Sequence, residues 1–193
     1  MDGAPTIEIR AAESQSPNAA APPRLLCLGP PRLEFFGASH ALDGRQDAEP
    51  VEMLLRVAAA GPPGMALDAL CAALWPGLSE RARRTRFGDC RRCLALLLGA
   101  SAPPVEADGQ HVSIDVRRLF VDSLDLENAL EPLLVPFAQA SGPATERARD
   151  ALSDALARRA VFLPGLDRPW ANAARLRIAD KLVRAARRFW SDE

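Results

Sequence analysis

SERARRTRFGDCRRCLALLLG, residues 79–99, decides how the rest of this chain is read. It carries Arg81, Arg83, Arg84, Arg86, Arg91 and Arg92 against Glu80 and Asp89, so +6 − 2 = +4 in a chain whose formal net charge is −1. Phe87, Cys90, Leu94, Leu97 and Leu98 recur at the spacing of one helical stripe. With that stripe turned inward, Arg81, Thr85, Gly88, Asp89, Arg92 and Leu96 face outward, and Arg83 and Arg86 lie at the sides. A helix with an apolar back and an arginine-rich front suits the reading of DNA. The same pattern also describes a solvated charged face, so the flanking segments must discriminate.

Working backwards from Ser79, which is placed to cap the helix, Pro76-Gly77 closes an earlier helical pattern from Met65 to Trp75 with Leu67, Leu70, Cys71 and Leu74 on one side. Before it, Ala48 to Ala60 has Val51, Leu54, Leu55 and Ala58 at helical spacing and ends at Gly61-Pro62-Pro63-Gly64. Further back, Leu25–Leu28, Leu33–Phe36 and a segment ending at Leu42 read as three short strands with turns between them. His40 belongs to the last of these, as a turn or surface side chain. Residues 1–23 hold Pro5, Pro17, Pro22 and Pro23 and read as a tail, with Thr6–Ile9 able to pair as a short strand.

Forward from Gly99, Ala100–Pro104 breaks the chain. Val105–Ala107 and Gln110–Ile114 then flank Asp108-Gly109, a pair that favours a type I′ hairpin. Strands, two helices, an arginine helix and a hairpin follow one another in the order of a winged helix, in which the third helix enters the major groove and the hairpin lies along the backbone. The expected fold class is therefore an α+β winged helix over residues 24–121. An all-α helical module over residues 122–193 follows. In that module Leu126 to Leu134 forms a short helix ending at Pro136, Ser141-Gly142-Pro143 is a linker, and Thr145 to Arg159 is helical. Phe162–Pro169 is a loop, and Trp170 to Trp190 is a final helix with Leu176, Val183, Ala186 and Trp190 among its apolar positions. Trp75, Trp170 and Trp190 read as core anchors.

Residues 25–121 resemble the winged-helix domain of OmpR-type response-regulator effectors, and more closely the version in antibiotic-regulatory (SARP) transcriptional activators. The resemblance rests on Leu28-Gly29-Pro30, on Leu70 to Pro76 (LCAALWP), and on Phe87 with Leu94 and Leu98-Gly99. Val112-Ser113-Ile114-Asp115 and Phe120-Val121-Asp122 complete it. Phe162 to Ala171 resembles the first interhelical loop of the bacterial transcriptional activator domain, a bundle of tetratricopeptide-like helices. The resemblance implies a transcriptional regulator that binds double-stranded DNA, with a shortened helical module offering a surface for a protein partner or a homodimer. It points to Arg81, Arg83, Arg84, Thr85, Arg86, Gly88 and Arg92 as the DNA-binding residues. Ala95 and Leu96 stand where the family usually has arginine. That departure, with Asp89 and the exposed Leu96, motivates an alternative: a member that keeps the fold and acts as a protein-interaction adaptor.

Other chemistries find little to stand on. Cys27, Cys71, Cys90 and Cys93 are too few and too irregular for a disulfide scaffold, and Cys90-x-x-Cys93 lacks the second ligand pair that zinc requires. There is no Ser/His/Asp arrangement and no glycine-rich phosphate loop, so neither an enzyme nor a cofactor is expected. No apolar window spans a bilayer and no signal peptide is visible, which sets the expectation of a cytoplasmic protein without a membrane partner. Lys181 is the only lysine, so nearly every cation is a planar guanidinium able to bind phosphate or guanine in bidentate fashion.

Overall fold

The computed structural model describes residues 22–42, 48–134 and 142–191. The expected strand at Thr6–Ile9, nearly all of the tail, and the helix end at Pro136 lie outside these residues. Among the described residues, seven strands and six helices form a mixed α/β structure with two small sheets.

Alternation in the sequence builds the first sheet. In β1 (Arg24–Leu26) and β2 (Arg32–Phe35), Leu25 and Leu33 are buried and face each other across an antiparallel pair, while Arg24 and Arg32 point to solvent. β3 (Ala38–Ala41) completes the meander with all four residues exposed, and its His40 stacks on Phe35 with ring centroids 4.5 Å apart. On the other edge β7 (Phe120–Val121) joins β1 in parallel. This brings the chain back to its start after nearly one hundred residues.

The first helix, α1 (Glu49–Ala60), has Pro50 in its first turn and buries Met53, Leu54, Leu55, Val57 and Ala58. The helical pattern expected from Met65 onwards divides in two. Met65–Ala66 is a strand, β4, paired antiparallel with β6 (His111–Ile114), and only Leu67–Leu74 is helical, as α2. The reason is a close backbone approach. A Cβ on Gly64 would lie 2.2 Å from the carbonyl oxygen of Val112, and Gly64 sits at φ +104°, so only glycine lets this segment reach the hairpin. The Leu67 N–H then donates to the Gln110 carbonyl at 2.8 Å.

The hairpin pairs β5 (Val105–Ala107) with β6 across Asp108, Gly109 and Gln110. It is not the expected type I′ turn, which needs positive φ at both central residues: Gly109 has φ +98°, but Asp108 is not among the positive-φ residues. Instead the Asp108 carboxylate accepts from the N–H groups of Gln110 and His111, at 3.0 and 2.8 Å, and closes the turn itself.

α3 (Glu80–Leu97) packs on α1 and α2. α4 (Asp122–Leu134) begins four residues earlier than the apolar spacing suggests. The Asp122 carboxylate accepts from the N–H groups of Cys27 and Leu28, at 2.7 and 3.0 Å, and this joins the helix start to the end of β1. α5 (Pro143–Ala157) and α6 (Pro169–Ser191) follow.

Of the apolar positions named for α6, Ala186 packs inward and the three large ones do not. Ala171, Ala174, Ile178, Leu182, Ala185 and Ala186 are buried, whereas Leu176, Val183 and Trp190 are exposed. Among the tryptophans, Trp75 is a core residue, Trp170 is half-buried beneath the Arg56 guanidinium, and Trp190 is not an anchor.

One continuous apolar core runs from β1 through α1, α2 and α3 to α4, α5 and α6. Phe162 and Leu163 enter it beside β1: Leu28 bridges to Phe162, and the Leu163 N–H donates to the Cys27 carbonyl at 2.7 Å. Across the α1–α6 contact, Arg177 donates to the Ala59 carbonyl at the end of α1 and to the buried Glu127 carboxylate, which Lys181 also meets at 3.1 Å.

Candidate nucleic-acid interface

The geometry of α3 follows from its sequence. Ser79 Oγ accepts from the Ala82 N–H at 3.4 Å, Glu80 lies in the first turn, and Phe87, Cys90 and Leu94 form the buried back. Burial of Cys90, with Glu49 nearby, pushes its thiol pKa up to about 11. Cys93, one turn on, is exposed, so the two sulfurs lie in different environments. Among the described residues no three metal-ligating side chains cluster.

The seven candidate residues divide by what they touch. Arg81 is exposed, and no acidic partner pairs with it among the described residues. Thr85 is exposed, and its hydroxyl donates to the Arg81 carbonyl at 3.1 Å. Together with Ser79, Glu80 and Arg84, these two form an open, shallow surface at the start of the helix. Arg92 is exposed and pairs with Asp89 on the same face. Gly88 is half-buried, with the Arg92 guanidinium as its only near neighbour, 3.9 Å from where a Cβ would sit.

Three arginines are held by other elements. Arg84 reaches Glu80 at 3.2 Å and Asp68 of α2 at 3.1 Å. Arg86 forms a bidentate pair with Glu49 of α1, at 2.7 and 3.0 Å. The Arg86 hydrogen bonds hold the Glu49 carboxyl below its usual range, and Arg86 itself is raised. Arg83 turns back instead, donating to the carbonyls of Trp75 and Pro76 at 2.9 and 2.8 Å, where it closes the end of α2. Arg91, which lies outside the candidate set, donates to the Val105 carbonyl at 2.7 Å and ties the helix to the hairpin.

Counting Glu49 and Asp68, the surface around α3 carries six arginines against four acids, +6 − 4 = +2 rather than the +4 of the isolated stretch. Local sequence holds no signal for these two acids, which lie 16 and 37 residues from their partners. All of these pairs are solvent-exposed, and such pairs contribute only about 0–1 kcal/mol each. They can therefore be exchanged for phosphate contacts at little cost. Beside α3 the hairpin presents Glu106, Asp108 and His111, and at its foot Asp115 accepts from both Arg117 and Arg118 at 2.9 Å.

No family model matches the chain, and no curated protein matches it either. Among solved structures, the chain is similar to Mycobacterium tuberculosis EmbR in complex with a low-affinity phosphopeptide. The fold is the shared feature. The TM-score is 0.52 at 20% identity, over 84% of this chain and 43% of the EmbR chain. This chain thus spans less than half the length of the EmbR chain. No helix among the described residues is long and apolar enough to cross a membrane.

Proposed function

We propose that this protein is a DNA-binding transcriptional regulator of the SARP and OmpR-type kind. In this reading residues 24–121 form a winged helix, with α3 as its recognition helix and β5–β6 as its wing. Residues 122–193 form a helical module of the bacterial transcriptional activator kind. The observation that carries the proposal is the outer face of α3, where exposed Arg81 and Thr85 and the surface-paired Arg84, Arg86 and Arg92 stand over a packed apolar back. The fold shared with EmbR is consistent with it. The adaptor alternative draws no support from that likeness.

Arg81, Arg84, Thr85, Gly88 and Arg92 would face the groove or its flanking phosphates, with Arg86 at the side. Arg83 belongs with them by position, although its guanidinium is committed to the end of α2. Most contacts would go to phosphate, fixing the register of the helix on the duplex, and Arg81, or Arg92 on leaving Asp89, would read guanine in bidentate fashion. Asp89 would repel phosphate but could accept from cytosine N4. Gel-shift titration against fragments of genomic DNA tests the proposal. Retarded complexes are expected at low salt, with a subset of fragments surviving at higher salt. If no fragment is bound at low salt, the reading is wrong.

A further inference from the structure

A guanidinium offers two edges to a bidentate acceptor: one formed by Nε and an Nη group, the other by the two Nη groups at its end. The two edges of Arg86 are used differently. Its Nε and Nη2 donate to Glu49 of α1, to Oε2 at 2.7 Å and to Oε1 at 3.0 Å. The remaining donors line the end edge, where Arg86 makes no hydrogen bond among the described residues. The side chain is 53% exposed, so an acceptor can reach that edge without displacing Glu49.

Glu49 is itself well anchored. It is the first residue of α1, which packs on α3 and buries Met53, Leu54, Leu55 and Val57. The Arg86 hydrogen bonds hold its carboxyl below the usual range, so the pair is ionised at neutral pH. The other arginines of α3 differ. Arg92 pairs with Asp89 of its own helix, and Arg84 meets Glu80 and Asp68 through one nitrogen each. Arg83 is held along the same edge by the carbonyls of Trp75 and Pro76, but it is half-buried. Among the exposed arginines of α3, Arg86 is the one whose guanidinium plane is fixed by both oxygens of a carboxylate on another element. A phosphate takes an arginine from many directions and gains little from such fixing. A guanine, whose O6 and N7 lie in one plane, gains much more.

We propose, resting on DNA binding through α3, that Glu49 is a positioning residue for sequence readout. It holds Arg86 with its end edge open to the O6 and N7 of a guanine in the major groove. Charge alone predicts otherwise, since an acid beside the interface only repels phosphate. The two accounts differ in sequence preference rather than in bare affinity.

The test titrates the full chain, by anisotropy, against a labelled duplex retained in gel shifts and against a scrambled duplex of the same length and composition. The ratio of the two affinities is the sequence preference. Glu49→Ala should lower it about tenfold without weakening binding of the scrambled duplex. Arg86→Lys keeps the charge, loses the fork, and should lower the preference by the same factor. The double variant should lower it no further, because the two residues act as one unit. Glu49→Gln, which still offers Arg86 one acceptor, should keep part of the preference. Both partners are exposed, so circular dichroism should be unchanged throughout. If Glu49→Ala tightens both duplexes equally, Glu49 is a counter-charge only, and the proposal falls while the DNA reading stands. Additive losses in the double variant, or a preference that Arg86→Lys leaves unmoved, overturn it too. Failure of the unaltered chain to bind either duplex overturns the DNA reading and this proposal together.

Discussion

Arg83 shows why a residue's type and position do not settle its role. It sits among the arginines of α3, yet both of its donated hydrogen bonds end on the carbonyls of Trp75 and Pro76. Arg83→Ala is therefore expected to cost about 1 kcal/mol of stability, read from the urea midpoint, while leaving the salt dependence of DNA binding unchanged. Asp115 allows a second prediction at this scale. Hydrogen bonds from Arg117, joined by Arg118, lower its pKa from 3.8 to about 2. A carboxylate depressed in the folded state adds stability that is fully present above its unfolded pKa and disappears as pH falls through the folded one. Between about pH 4 and pH 2 the chain should lose stability, and Asp115→Asn should flatten that part of the profile in acid denaturation monitored by circular dichroism. The arginine-rich front was legible in the sequence because its period is local. The acids that neutralise part of it, Glu49 and Asp68, were not, because only tertiary packing brings them to α3.

At the scale of elements, spacing and breakers located the helices well, and phase was the harder question. In α6 the side chains that pack inward include four alanines, Ala171, Ala174, Ala185 and Ala186, while the large Leu176, Val183 and Trp190 point outward. A hydrophobic period gives weight to large residues, so of Leu176, Val183, Ala186 and Trp190 only Ala186 packs inward. β4 was hidden for a related reason. Met65-Ala66 has good helix formers, and only the contact of Gly64 with the Val112 carbonyl turns it into a strand. The hairpin was found from Asp108-Gly109, but its turn type depends on how the Asp108 carboxylate is used. Within α3, Gly88 occupies a helical interior with room for a methyl group. Gly88→Ala should raise stability by about 1 kcal/mol, seen as a higher thermal midpoint in calorimetry; an unchanged or lower midpoint would mean that the glycine is needed for packing.

At the scale of the molecule, the sequence divides the chain near residue 121, whereas the packing is continuous across that point. The Asp122 carboxylate accepts from the N–H groups of Cys27 and Leu28, Phe162 and Leu163 lie against the end of β1, and Arg177 joins α1 to α4 and α6. Glu127 is the centre of that junction, 1% exposed and in contact with both Arg177 and Lys181. Removing its carboxylate leaves two cations facing a buried void, so Glu127→Ala should cost about 3 kcal/mol in urea denaturation. A core shared in this way also predicts one cooperative thermal transition for the chain rather than two, with calorimetric and van't Hoff enthalpies in agreement.

The central claim is that the outer face of α3 meets the phosphates of a DNA duplex. The most direct measurement is the anisotropy of a labelled duplex, chosen from the fragments retained in gel shifts, titrated with the protein across a range of salt concentrations. If about four phosphates are neutralised, log K should fall with log salt at a slope of roughly −3.6. Arg81→Ala/Arg92→Ala should reduce the magnitude of that slope by about two, with circular dichroism unchanged. A slope near zero, or a slope that the double variant leaves unaltered, would contradict the account.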